Sequence, residues 1–389
     1  MSLVLGVAGV VLLLAALHPF VTYPLSLRLL ARFHPRPVAL GTPPGRAALC
    51  LCVYNEERVI RAKVENMLAM RAADPGLEIL VYVDGAADQT TAILREYGDR
   101  LRVVASPARL GKTHGMNTLV AMTTADYCVF SDANVIFAPD ALPRLLAGFA
   151  DSAVGCVCGH LVYTRPTDNP TAVTGSLYWR LEEHIKALES ASGSVMGADG
   201  SIFAVRRALH EPPPPDLIDD MYVSLSVLCS GARVIRIADA VAYEEAVSRP
   251  AEEFRRKVRI ACQAFNVHRR LAPRLHRLPL IDHYKYLSHK LLRWLTLYLL
   301  ALGSAAILAS LAMAGAASVA VAMALLGVVG MLLVALVQSG PLGRLREILS
   351  AFVATALGVL RSLRGDRFQT WNPPASARNL TPSLAARSR

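Results

Sequence analysis

The sequence predicts an α/β fold with a mostly parallel sheet, joined to transmembrane and interfacial helices. Between residues 48 and 160, short apolar runs alternate with helical stretches, the pattern of strands separated by crossover helices. Apolar stretches near both ends reach the ~20 residues that cross a bilayer. The basic excess also sits beside those stretches. Of a net +11, residues 1–48 carry +4 and residues 284–389 carry +9, leaving −2 for 49–283. A nearly neutral middle argues against a nucleic-acid partner, and basic flanks on apolar segments follow the positive-inside rule. With 53% hydrophobic and 18% charged residues among 389, the chain is too apolar to be disordered.

Residues 3–17 are uniformly apolar, and weaker hydrophobicity continues to Leu30. No basic residue precedes this stretch, and Arg28 and Arg32 follow it, so residues 1–33 read as an uncleaved anchor rather than a signal peptide. That orientation puts the N-terminus outside and the next domain in the cytoplasm. Residues 295–314 and 318–337, with Gly315 between them, read as a transmembrane hairpin within 291–339. Lys285, Lys290 and Arg293 lie before it, and Arg344 and Arg346 after. Residues 348–360 are apolar but short and flanked by basic residues on both sides, so 340–389 reads as an interfacial or short transmembrane helix plus a cytoplasmic tail.

In the middle, Ala48–Tyr54, Leu77–Val83, Leu101–Ala105 and Tyr127–Ser131 are expected strands. Glu56–Met70, Ala86–Tyr97, Lys112–Met122 and Pro139–Phe149 are expected helices. Cys50/Cys52 and Cys156/Cys158 lie in apolar runs and read as core thiols, which suits a reducing compartment. Ligands of parallel sheets bind beyond the carboxyl ends of strands. Those ends carry Tyr54-Asn55-Glu56, Asp84 and Asp132. Singly, each Asp could be a turn or cap residue; three together point to a site.

Asp132-Ala133-Asn134 could be an Asx-turn, or could hold Mg²⁺ or Mn²⁺ against a diphosphate. Asp219-Asp220 could cap the apolar helix Met221–Cys229, or one of the two could serve as general base. The stretch from about 254 to 270 is amphipathic, with Arg255, Arg256, Lys257 and Arg259 on its basic face. It suits the inner leaflet, within 251–290, or a phosphate or acceptor sugar.

Several motifs in order carry a resemblance. They are Val53-Tyr54-Asn55-Glu56-Glu57, Val83-Asp84-Gly85, Leu110-Gly111-Lys112 with Asn117, Ser131-Asp132-Ala133-Asn134, Gly197-Ala198-Asp199-Gly200, Asp219-Asp220 and Arg256-x-x-Arg259. The chain resembles membrane-embedded family 2 glycosyltransferases of the cellulose, chitin and hyaluronan synthase kind, from about residue 48 onward. The resemblance implies a GT-A fold over 48–250, a nucleotide-sugar donor (UDP by family likeness) and a divalent metal. It implies that Tyr54 and Glu56 flank the base, Asp84 holds the uridine part, Lys112 approaches the diphosphate and Asp132, with Asn134, ligates the metal. Asp220 would be the general base, with Asp219 beside it. Gly197 and Asp199 would lie near the acceptor, and Arg256 and Arg259 would meet acceptor or diphosphate.

Two departures stand out: Asn134 replaces the second Asp of D-x-D, and Ile260 replaces the Trp of the Q/R-x-x-R-W motif. The missing Trp puts processivity in doubt. Arg367-Phe368-Gln369-Thr370-Trp371 is similar to the family's gating loop, which would bring Thr370 and Trp371 to the nucleotide.

The expected activity is inverting, metal-dependent transfer of a hexosyl or N-acetylhexosaminyl group to a growing polysaccharide at the cell (inner) membrane. The protein would be multi-pass, its catalytic domain cytoplasmic and in contact with membrane lipids. Single addition to a polyprenyl-phosphate or lipid-linked acceptor is the alternative, and a non-catalytic nucleotide-sugar sensor the alternative from another class. No nucleic acid is expected, and an oligomer is compatible with the pattern. A transporter is disfavoured, since no expected span carries a charge at mid-membrane.

Overall fold

The structure, a computed structural model, describes residues 1–164, 170–246, 249–337 and 340–372, with backbone alone for 170–177. In chain order the elements are α1 (Ser2–Leu17), α2 (Thr22–Phe33), β1 (Ala47–Val53), α3 (Ile60–Ala73), β2 (Glu78–Asp84), α4 (Thr90–Arg95), β3 (Arg102–Ser106), α5 (Lys112–Met122), β4 (Tyr127–Ser131), β5 (Ile136–Phe137), α6 (Ala141–Ala147), β6 (Val154–Thr164), α7 (Pro170–Ala191), β7 (Ile202–Arg206), α8 (Asp219–Cys229), β8 (Arg233–Glu245), α9 (Pro250–Leu275), α10 (Leu280–Tyr286), α11 (Leu292–Met313), α12 (Ala317–Leu336) and α13 (Gly340–Leu363).

One eight-stranded sheet runs in the order β3-β2-β1-β4-β7-β6-β8-β5. β1 pairs in parallel with β2 and β4, and β2 with β3. β7 runs antiparallel to β4 and β6, while β6 and β8 pair in parallel. All seven residues of β1 are buried because helices cover both faces. Alternate side chains divide between two cores: Leu49, Leu51 and Val53 meet α3, while Cys50 and Cys52 meet α5. The expected core thiols are there; all seven cysteines are free, and six are buried.

These directions gather the functional candidates at one edge. The parallel strands β1, β2 and β4 end there at Tyr54, Asp84 and Asp132. β7 is reversed, so its amino end and the preceding turn 197–201 arrive at the same edge, with Ile202 opposite Ser131. β8 runs with β4 again and delivers Glu244.

Some boundaries differ from expectation. The helix expected from Glu56 starts at Ile60, because Asn55 takes φ +52° and the Glu56 carbonyl accepts the Val59 and Ile60 amides in a turn. The 1–33 stretch is two helices bent by 61°, not one continuous rod. The boundary expected near residue 291 is absent: α10 continues through a π-helical stretch, Leu287–Leu291, into α11, so one helix covers Leu280–Met313. It and α12 are long and apolar enough to cross a membrane, and the bent α1–α2 pair would make a third span. α1 packs along α11 at close range; a Cβ on Gly9 would lie 2.9 Å from the Gly303 carbonyl oxygen. The short apolar stretch 348–360 is the end of the longer α13, which packs mainly on α9. Of the expected tail, residues 373–389 lie outside the described residues.

Candidate active site

A cavity of about 1050 Å³ opens at the carboxyl edge of the sheet. α5 enters it first. Gly111, at φ +95°, turns the chain into the helix, and Lys112 is its first residue. The Lys112 ammonium lies 2.8 Å from Asp132 Oδ1 and 3.6 Å from Asp219 Oδ2. Burial alone would lower its pKa, but Asp132, Asp219 and Asp220 outweigh burial and hold it well above the usual lysine range. α5 also positions the loop before α8: Thr113 Oγ1 donates to the Leu217 carbonyl and Asn117 Nδ2 to that of Pro213. Asp219 and Asp220 then open α8.

Among the described residues, Asp219 Oδ2 is buried without a hydrogen-bond partner. The Asp220 carboxyl is pushed up to about 7, first by burial and then by Asp219 beside it, with Lys112 opposing. The turn 197–200 lies against it; Asp199 Oδ1 caps the Ser201 amide, and its Oδ2 sits 3.7 Å from Lys186. Arg256 and Arg259 line the same cavity, and so does Ile260. Arg256 pairs with Glu253, and Arg259 donates to Gln263. Burial, then repulsion by Arg256, draws Arg259 down to about 10.

Asn134 Nδ2 donates to Glu244 Oε1 at 2.9 Å. That bond explains an amide at this position, since an aspartate would face a second carboxylate. Only Asn134 Oδ1 is left as a donor to a cation. The carboxylates of Asp132 and Asp219 form a hard, oxygen-only donor set that fits Mg²⁺ or Mn²⁺, and Asp219 Oδ2, whose nearest cation is Lys112 at 3.6 Å, has no hydrogen bond among the described residues to give up. Among the described residues no group of three or more His, Cys, Asp or Glu side chains forms a complete cage. A bound diphosphate would have to complete such a site.

The nucleotide end differs in detail from expectation. Asp84 is fully buried, and its carboxylate accepts the Leu110 and Gly111 amides at 2.6–3.1 Å. It shapes the loop that carries Lys112. The amide of Glu56 donates to Thr90 Oγ1. Over Tyr54 lies the Arg109 guanidinium, 3.6 Å from the ring centre. Arg109 also donates to the Trp371 carbonyl and to Asn372 Oδ1. Gln369 Nε2 donates to Leu110 O, and Gln263 Nε2 to Phe368 O. The segment 366–372 is therefore strapped across the site between α9 and the 109–111 loop, and Thr370 and Trp371 line the cavity. A Cβ on Gly111 would lie 2.2 Å from the Gln369 carbonyl oxygen, so only glycine lets the strap lie this close.

Sequence reading missed three contributors. Arg109 lies next to a recognised motif, but nothing local marks its stacking. Glu244 comes from a strand that only topology brings near Asp132. Lys63 is fully buried beneath the 131–135 turn, where Nζ donates to Ser131 Oγ at 2.8 Å and to the Val135 carbonyl at 2.7 Å. Burial pulls this ammonium down to about 7, with Asp132 opposing. Lys63→Met is expected to leave those acceptors short of a donor and cost about 1–3 kcal/mol; thermal unfolding of the purified variant checks this as a lowered midpoint.

Residues 48–212 match the model of Glycosyl transferase family 2. An N-acetylglucosaminyltransferase of Mesorhizobium japonicum is 26% identical over 221 residues, 52% of this chain and 52% of that protein. One from Sinorhizobium fredii is 26% identical over 263 residues, 63% of this chain and 62% of that protein. A hyaluronan synthase of Streptococcus pyogenes is 26% identical over 177 residues, 43% and 42% of the two chains. The chain thus spans about half the length of the curated relatives it matches. Among solved structures, a mannosyltransferase from Pyrobaculum calidifontis in complex with GDP-Man and Mn²⁺ superposes with a TM-score of 0.72 at 22% identity, over 93% of this chain and 99% of that one. The shared fold is GT-A.

Proposed function

We propose, for a chain that carries a glycosyl transferase family 2 domain over residues 48–212, inverting transfer of a sugar from a nucleotide-sugar to an acceptor presented at a membrane. One observation carries the reading. Lys112, about one-fifth exposed, stands between Asp132 and Asp219, and next to them Asp220 holds a carboxyl tuned to neutral pH. That arrangement supports a reading in which charge stabilisation of a leaving diphosphate lies beside a general base.

In the proposed step the acceptor oxygen attacks the anomeric carbon and Asp220 takes the acceptor's hydroxyl proton. The bond from the anomeric carbon to the diphosphate oxygen breaks, and that oxygen leaves with its electron pair. Lys112 binds the diphosphate. Tyr54 and the strap residues Thr370 and Trp371 enclose the nucleotide end, and Arg256 and Arg259 face the diphosphate or acceptor. Asp132, with Asn134 Oδ1 and Asp219 nearby, would hold Mg²⁺ or Mn²⁺. Such an ion supplies further neutralisation of the diphosphate. The mannosyltransferase structure, in complex with Mn²⁺, supports a divalent ion here.

The acceptor reading rests on the helices. Among the described residues, α12 buries only Ala320 and Val334, so the spans make a thin cluster rather than a closed conduit for a polymer. With Ile260 in the cavity wall in place of a stacking Trp, this favours addition of one sugar to a lipid-borne acceptor. Polysaccharide elongation is the second reading, favoured by the hyaluronan synthase relative. The basic flanks support a multi-pass inner-membrane protein with its catalytic domain in the cytoplasm.

The test uses the full chain in detergent with Mn²⁺ or Mg²⁺, a panel of UDP- and GDP-sugars, and detection of released nucleoside diphosphate with and without membrane lipid extract. Release that needs one sugar, metal and lipid extract, with one sugar added per lipid, is the expected result. A long polymer would select the second reading. Nucleotide binding without release under any condition would reject catalysis and leave a sensor.

A further inference from the structure

The cavity does not end at Asp220. It continues along the 197–200 turn to a wall of α7 that carries Trp179 and Lys186, and all of these residues line it. Each step along this wall is a close approach. A Cβ on Gly200 would lie 2.7 Å from Asp220 Oδ2, so the turn rests directly against that carboxylate. Asp199, the preceding residue of the turn, holds its Oδ2 3.7 Å from Lys186 Nζ. That ammonium in turn lies 4.8 Å from the centre of the Trp179 ring.

Trp179 is fixed in place. Its Nε1 donates to the Leu161 carbonyl at 2.8 Å, and the Tyr163 ring meets it at an interplanar angle of 76° with centroids 5.4 Å apart. It packs in part on the core and keeps part of its surface in the cavity, as does Tyr163. Such a ring offers an apolar wall whose face carries partial negative charge. The C–H bonds on one face of a pyranose complement a wall of that kind. A rigid aromatic wall with a few aimed polar groups is the usual make-up of a small-ligand site.

Lys186 supplies the polar groups together with Asp199. It is nearly fully buried, and an ammonium has three N–H donors. Among the described residues it makes one hydrogen bond, to Glu183 Oε1 at 3.4 Å; the Asp199 oxygen at 3.7 Å lies beyond hydrogen-bond length. Donor capacity is therefore left over, while charge is not. Lys186 and Arg236 face Glu183 and Asp199, two charges of each sign. This combination discriminates between ligands. A phosphate only accepts hydrogen bonds, and here it would set its charge against Asp199 and Asp220. A sugar hydroxyl both accepts and donates, so it suits an ammonium beside a carboxylate. The base points the same way: a phosphate oxygen is already an anion at neutral pH, whereas a hydroxyl has a proton for Asp220 to take.

We infer that Trp179, Lys186 and Asp199 form a subsite for a neutral sugar ring, so that the group glycosylated is a hydroxyl of a sugar the acceptor already carries and not a bare lipid phosphate. This inference rests on the transfer reaction proposed above. The ring packs against Trp179, and its hydroxyls meet Lys186 and Asp199. The reacting hydroxyl oxygen forms the bond to the donor's anomeric carbon, its proton passes to Asp220, and the nucleoside diphosphate leaves with its electron pair.

The test gives the full chain, purified in a sugar-free detergent, an isotope-labelled nucleotide sugar and Mn²⁺. The acceptor is either membrane lipid extract or a long-chain polyprenyl monophosphate. Mild acid splits sugar–phosphate bonds and spares sugar–sugar bonds, so the released fragment reports which group was glycosylated. Label from the extract is expected in a disaccharide or larger oligosaccharide, with no transfer to the monophosphate. Label released as the free monosaccharide, left on a lipid that carries no other sugar, or moved to the monophosphate would overturn the subsite. Trp179→Leu keeps apolar bulk against the core and removes the π face. It is expected to raise the half-saturating amount of extract about tenfold, while nucleotide affinity stays within about twofold. Trp179→Phe keeps a ring and is expected to stay within about threefold of the unmodified chain. An unchanged requirement in the Leu variant, or equal losses in both variants, would overturn the role of the ring. Should the Leu variant lose nucleotide binding through misfolding, the linkage of the unmodified chain's product decides alone. Transfer from no donor to any acceptor would reject the proposed function and the subsite with it, whereas transfer with the wrong linkage rejects the subsite only.

Discussion

Asp220→Asn is expected to abolish sugar transfer while leaving nucleotide affinity within about twofold. An amide cannot accept the acceptor's proton, and a positioned general base contributes roughly 10²–10⁴ in rate. The unmodified protein carries a matching signature in its pH dependence. Burial and the neighbouring Asp219 push the Asp220 carboxyl up to about 7. The base works only when ionised, so kcat/KM should rise with pH through about 7 and level off above it. Below that point it should fall about tenfold per pH unit. A rate independent of pH between roughly 5.5 and 8, the range in which an acid so tuned must titrate, would reject the assignment. So would turnover in the Asn variant comparable to the unmodified protein.

Lys112→Met should be the next most damaging change, with a distinguishable signature. Lys112 is the cation that lowers the Asp220 pKa, and it is paired with Asp132 and Asp219. Without it, Asp219 and Asp220 face one another with less compensation, so the pH midpoint of any residual activity should move in the alkaline direction by on the order of one unit. Donor affinity should fall as well, since the variant loses a charge-assisted contact to the diphosphate. Removing one partner of a buried ion pair costs about 3–5 kcal/mol; Asp132 is about one-third exposed here, so about 2–3 kcal/mol is expected. Nucleotide titration, a pH–rate profile and a thermal melt on one preparation measure all three. An unchanged pH midpoint would separate Lys112 from Asp220 despite their proximity.

The strap gives the site a second point of control. Arg109 covers one face of Tyr54 and at the same time holds the backbone of Trp371. The side chain nearest the expected base platform is thus also the anchor of the C-terminal segment. The motif around Leu110-Gly111-Lys112 marked the loop but could not show this double use, because the strap's Gln369 and Trp371 lie some 260 positions further along the chain.

Local chemistry made much of the molecule legible in the sequence. Apolar runs broken at regular intervals placed β1, β2, β3 and β4, and the Lys112–Met122 helix appears with its expected bounds. The strand ends at Tyr54, Asp84 and Asp132 were marked by polar residues following buried ones. The Asp219-Asp220 pair was visible at the start of an apolar helix. Bilayer-length runs separated by Gly315 gave the hairpin. Each of these signals lies within one element, where periodicity and turn chemistry act over a few residues.

The tertiary structure decided which of these groups meet and what each carboxylate is used for. Asp84 serves the 110–111 backbone because β2 ends beneath that loop. Asn134 suits its position because β8 returns in the same direction as β4 and sets Glu244 against it. Lys63 supports the Asp132 turn from a helix about 70 residues earlier. Arg293 lies against the rings of Phe20 and Tyr178, which come from distant parts of the chain. The physical reason is common to all four. Hydrophobic periodicity is a local property that the chain carries in its residue order, whereas desolvation and Coulomb pairing depend on distances set only once the sheet has ordered its strands and the helices have packed.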